Sequence, residues 1–189
     1  MTFEYSRFRR LALIALALQS AGHIEGRTKM QKIIYFANLL GWKAMDFKYH
    51  NYGPYSETLS EELENMRNNG WIEERPTETI RERVLYRYYS SPKTRRIGAS
   101  LISKIEDMDP KAEKLVSKTR GLVKHLNDFS SDDLEMMSTL MFLKLEEPSL
   151  SDDQLINRTH DLKPQFSKEH ISRSRRIFNI MRNFMPIKN

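Results

Sequence analysis

The chain has 189 residues, with 31 lysines and arginines against 25 acidic residues, a formal net charge of +6, and no cysteine. That length covers one domain or one and a half and can bury a real core. A hydrophobic share of 39% beside 30% charged residues fits a water-soluble globular protein. Without cysteine, disulfides and thiolate metal sites are excluded, and a cytoplasmic location is expected.

In chain order, Leu11 to Leu18 form an unbroken apolar octet behind Arg7, Arg9 and Arg10. A bilayer span needs about twenty such residues. Acidic Glu4 precedes the octet and polar sequence follows it, so a secretory leader fits badly. Phe3 to Ser20 is expected to be the central buried helix, and no membrane contact is expected. Thr28 and Gln31 then stand as T-x-x-Q, the spacing of a capping box at a helix start. Met30, Ile33, Ile34, Ala37 and Leu40 make one apolar stripe, with Tyr35, Phe36 and Leu39 on the other side and Gly41 as a stop. Phe36 and Leu39, read as exposed, suggest a helix-to-helix contact, and a homodimer is one arrangement that would supply it.

Phe47 and Tyr49 alternate with Lys48 and His50, a short strand by its period of two. Gly53-Pro54 breaks it, and Pro54 or Ser56 opens a helix with Leu59, Leu63 and Met66 on one stripe. Asn69-Gly70 is a left-handed stop. Strands at Trp71-Ile72 and Val84 to Tyr89 complete a hairpin.

These residues carry a resemblance. GRTKMQKIIYFANLLG followed by YHNYGPYSETLSEELENMRNNGWIEE resembles the YwgA-like family of small bacterial and archaeal proteins, which implies a winged-helix fold without an assigned biochemical role. LEMMSTLMFL (Leu134 to Leu143) and LKPQF (Leu162 to Phe166) also look like that pattern. The K-x-Q-K-hydrophobic-Y-F run with Y-G-P is similar, more remotely, to Panacea or SocA-type antitoxin domains, which implies a neutralising or adaptor role.

Beyond the hairpin, Ser91-Pro92 punctuates and a helix runs through Ile97, Leu101, Ile102 and Ile105. Asp109-Pro110 reads as an N-cap with proline in the first helical position. Leu115, Leu122 and Leu126 line the next helix, and Ser130 to Leu145 make another. Ser151 and Gln154 form a second capping box, and Ser167 opens the last helix. The expected fold class is mainly α with a small β-hairpin (α+β). A winged-helix-like part, residues 1–91, would be followed by a helical region, residues 92–189, packing on it.

The charge is unevenly placed. From Lys163 onward seven cations (Lys163, Lys168, Arg173, Arg175, Arg176, Arg182 and Lys188) face one Glu169, seven minus one, so the last 27 residues hold the whole excess of +6. Lys168, Arg175 and Arg182 sit at helical spacing, a face suited to phosphates. In the hairpin Arg81, Arg83 and Arg87 are offset by nearby glutamates. The helix before the hairpin offers Tyr55, Ser56 and Thr58 to a groove, but it also bears Glu57, Glu61, Glu62 and Glu64 against one Arg67. Carboxylates oppose a phosphate lattice and suit a basic protein partner.

Catalysis has no motif behind it. The five histidines lack metal-ligand spacing, no glycine-rich phosphate loop or G-x-S-x-G elbow occurs, and acid pairs such as Asp132-Asp133 sit at helix starts. No cofactor and no metal are expected. The reading that follows is a non-enzymatic winged-helix regulator that binds DNA through Tyr55, Ser56, Thr58, Arg81, Arg83, Arg87, Lys168, Arg173, Arg175, Arg176 and Arg182. The alternative is an antitoxin-like or adaptor module that binds a protein, such as a toxin, through Glu57, Glu61, Glu62 and Glu64.

Overall fold

The computed structural model describes the backbone of residues 3–80 and 83–182 and the side chains of residues 5–77 and 84–175. In chain order it runs α1 (Phe3–Ala21), β1 (His23–Glu25), α2 (Arg27–Ala37), a π-helical turn (Asn38–Trp42), β2 (Lys48–His50), β3 (Gly53–Tyr55) and α3 (Glu57–Asn68). β4 (Ile72–Ile80), β5 (Arg83–Ser90), α4 (Pro92–Met108), α5 (Ala112–Asn127), α6 (Ser131–Glu146), α7 (Asp152–Leu162) and α8 (Lys168–Arg182) follow. The protein is mainly helical, with a small antiparallel sheet of strand order β1-β5-β4 and a separate β2-β3 hairpin. No helix among the described residues is long and apolar enough to cross a membrane.

The apolar octet of α1 is buried without a break from Ala12 to Leu18. A helix that is apolar all round must be covered all round. α2, α4, α5 and the β-sheet do this, so one core takes in Leu13, Ile33 and Phe36 together with Leu101, Val123 and Met141. A smaller cluster of Met136, Leu140, Leu143, Leu155 and Ile171 joins α6, α7 and α8.

Local signals set most element ends. Ser56, Ser91, Ser130 and Ser151 each accept a hydrogen bond from a backbone amide three residues on, and the Ser151–Gln154 box is complete. At the end of α3 the Gly70 amide bonds to the Arg67 carbonyl and the Trp71 amide to that of Met66, with Gly70 at φ 68°. That is a Schellman ending, which glycine at that φ makes accessible. Pro76 lies in β4, an edge strand, where a missing amide costs no ladder bond.

Three expectations are corrected. Thr28 and Gln31 form no capping box: α2 begins at Arg27 behind Gly26, and no side chain caps it. Gly26 is held instead by its amide on the Tyr86 carbonyl at 2.9 Å, so the β1–β5 ladder sets where the helix starts. Asp109 does not cap α5; its Oδ1 accepts from the Lys111 amide at 2.9 Å, and the helix opens at Ala112. Phe36 is not exposed but fully buried, so the helix contact it suggested is met inside the chain.

Candidate interaction surface

α3 is fixed at its start by a side chain from α2. Gln31 is buried; its Oε1 accepts from the Ser56 amide and its Nε2 donates to the Ser56 carbonyl, both at 3.0 Å. Nε2 also donates to Ser60 Oγ at 3.1 Å, and that hydroxyl lies 2.7 Å from the Tyr55 hydroxyl. A primary amide can satisfy a peptide N–H and C=O together, as a paired strand would. Ser56 is therefore interior, its hydroxyl committed to the Leu59 amide, and is removed from the groove-facing set. Thr58 is half-buried, and Tyr55 is tied to Ser60.

The four glutamates of α3 divide. Glu57, Glu61 and Glu64 are exposed and fall at i, i+4 and i+7, one outward stripe. Glu62 points inward, where Oε1 accepts from Arg10 Nε at 3.1 Å and lies 3.8 Å from Arg7 Nε. It is a structural ion-pair partner and not part of the acidic surface. Arg67 is shared between Glu74, at 3.1 Å, and Glu64, at 3.4 Å.

The cations proposed for phosphate contact are dispersed along the chain, and two of those with described side chains are ion-paired. Arg87 faces Glu25 in the β1–β5 register and donates to it at 3.1 Å. Arg175 pairs with Asp152, and Lys168 donates to Asn157 Oδ1 at 2.7 Å. Arg173 is exposed and makes no ion pair among the described residues. Arg81 lies outside the described residues, and the side chains of Arg83, Arg176 and Arg182 lie outside the described side chains. α8 packs on α6 and α7, whereas α3 packs on β4 and α1, so the two helices rest on different parts of the fold.

Two buried lysines were missed. Lys32 Nζ donates to the Pro54 carbonyl at 2.7 Å, and burial pushes its pKa down to about 8. Lys163, counted above with the basic tail, is interior as well. It bonds to the Asn51 carbonyl and pairs with the buried Glu135 at 2.7 Å. The two ammonium groups thus hold the β2–β3 hairpin from below, Lys32 at β3 and Lys163 at the turn. Gly53, the first residue of β3, has φ +80°, and a Cβ there would stand 2.9 Å from Thr139 Oγ1. The only sequence signal for Lys32 is its place on a helix that is apolar on two sides; Lys163 has none.

Above this floor, α2, the β2–β3 hairpin, α3 and the sheet enclose a depression of about 460 Å³ whose lining includes Gln31, Lys32, Ser60 and Leu63. A second, of about 620 Å³, continues it toward β5 and the start of α6. Arg27, Tyr52 and Tyr88 are among the residues common to both, so they form one trough. Arg27 donates to the Tyr88 hydroxyl at 3.3 Å, and burial raises the Tyr88 pKa. The His50 and Tyr55 rings meet at a tilt, with centroids 5.4 Å apart.

Fold and surface together define an α+β protein with an acidic outward helix beside a mixed-charge, tyrosine-lined trough. The chain is similar to the "Uncharacterized protein YwgA" of Bacillus subtilis (strain 168), 29% identical over 135 residues that make up 69% of this chain and 72% of that protein. No family model matches it. The similarity to YwgA agrees with the resemblance read from the motifs.

Proposed function

We propose that the chain is a non-enzymatic interaction module of winged-helix type that acts by binding another protein. The winged-helix part of the reading rests on connectivity: helix, short strand, two helices with the small β2–β3 hairpin between them, and a second hairpin, with the first strand pairing the last, β1-β5-β4. The observation that carries the protein-binding part is the outward stripe of Glu57, Glu61 and Glu64 on the helix just before the hairpin. In a DNA-reading relative that helix enters the major groove and needs cationic or amide side chains there. Three carboxylates on its free face repel phosphate and attract a basic protein surface. An antitoxin-like or adaptor role fits such a surface.

DNA binding remains the second reading, favoured by the same strand order and by the exposed Arg173. That support is fold-level analogy plus one cation. Titration of a labelled duplex at two salt concentrations separates the two. The protein-binding reading expects dissociation constants weaker than about 10⁻⁴ M even at low salt, the weak end of non-specific binding. Tight binding that weakens steeply as salt rises would overturn it in favour of DNA.

A further inference from the structure

We infer that the trough beside α3 seats an extended segment of a protein partner bearing arginine or lysine side chains. This rests on the protein-binding reading above and adds where the partner sits and what chemistry it has. Shape is the first support. The two depressions run into one another and have walls from α2, the β2–β3 hairpin, α3, the sheet and α6, a course suited to a length of chain.

Charge is the second. Glu57 lines only the first depression and Asp132 only the second; both are exposed and make no ion pair among the described residues. Between them Arg27 is turned onto the Tyr88 hydroxyl, and Arg67 is shared by Glu64 and Glu74. Unneutralised carboxylates therefore stand at both ends. An extended chain, rising about 3.3 Å per residue with side chains alternating, can present cations to both.

Exposed aromatic and apolar surface is the third. Tyr52 is 58% exposed and lines both depressions, and Tyr86 (40%) and Val84 (46%) line the second. These are three of the seven large hydrophobic side chains exposed among the described residues, and their gathering along one trough marks a contact surface. A tyrosine face also attracts a guanidinium held within about 6 Å of the ring.

The test uses the full chain and two labelled octapeptides, one alternating arginine and glycine, the other glutamate and glycine, followed by fluorescence anisotropy. The arginine peptide is expected to bind and the glutamate peptide not. Glu57→Lys with Asp132→Lys should weaken binding at least tenfold, and Tyr52→Ala at least threefold. Asp107→Lys, exposed on α4 outside both depressions, should change it less than twofold. If the double reversal unfolds the chain, Glu57→Gln with Asp132→Asn replaces it, with a loss of at least threefold expected. No binding of the arginine peptide, or an equal loss with Asp107→Lys, overturns the trough as the seat. The protein-binding reading is judged separately by the duplex titration, which neither peptide result affects.

Discussion

Lys32 Nζ donates to the carbonyl of Pro54 at 2.7 Å from a position almost wholly withdrawn from solvent. An ammonium on α2 thereby anchors the turn that leads into α3, so a protonation state is linked to the position of the trough's hairpin wall. Burial is the leading cause of its lowered pKa, the Lys163 charge lowers it further, and Glu135 opposes both.

The sign of the resulting pH dependence follows directly. Lys32 has a pKa of about 8 when folded against 10.5 for an ordinary lysine. Between those values the unfolded chain holds the proton more firmly, so stability from this group rises with pH through that window. Below about pH 8 both states are protonated and its contribution is flat. Urea unfolding at pH 7.5, 9 and 10 should show the wild type gaining stability relative to Lys32→Met, by on the order of 3 kcal/mol at most. Parallel curves for the two proteins would refute the linkage.

Gln31 and Ser56 exchange two hydrogen bonds in the interior. Gln31→Ala leaves the buried Ser56 N–H without its partner, at a cost of about 1–3 kcal/mol, whereas the Ser56 carbonyl keeps the Ser60 amide at 3.2 Å. A destabilisation on the order of 1–3 kcal/mol is expected in chemical unfolding. Gln31→Glu retains the acceptor and loses the donor, so its effect at neutral pH should also be clearly measurable. A change within error for Gln31→Ala would mean that α3 is positioned by its apolar face alone.

Glu62 and Glu61 are adjacent in sequence and opposite in role. Arg10→Ala should cost about 3–5 kcal/mol, because it strands the buried Glu62 carboxylate near a largely exposed Arg7. Glu61→Ala, at the surface, should stay within about 0.5 kcal/mol. Similar costs for the two substitutions would contradict the inward placement of Glu62.

Gly53→Ala meets two obstacles, a positive φ and the Thr139 hydroxyl. A loss of about 1–3 kcal/mol is expected from the backbone conformation alone. Adding Thr139→Ala removes the close contact but not the φ strain, so it should improve on the Gly53→Ala, Thr139 background only in part. Complete recovery would assign the whole cost to the contact.

Much of the fold was legible because its signals are local. Ser91, Ser130, Ser151 and Ser167 mark helix starts through bonds three residues long, and Asn69-Gly70 marks an end; each depends on atoms a few positions apart. The Thr28–Gln31 spacing misled for the opposite reason. Two helical turns away in sequence terms nothing competes with a capping box, but in space the Ser56 peptide does, and it holds Gln31 from 25 residues on.

The surface was legible only as an inventory. Sequence alone determined an α+β chain, a first helix with an unbroken apolar octet, an acidic third helix and the absence of thiol chemistry, since composition and periodicity are properties of neighbours along the chain. Which charges remain free was decided by tertiary structure. Arg87 meets Glu25, Arg175 meets Asp152, Glu62 meets Arg10 and Lys163 meets Glu135, partners from 23 to 62 positions apart. A charge acts at a distance through space, so only the folded arrangement separates the carboxylates of Glu57 and Asp132, left open to a partner, from those the chain has already neutralised.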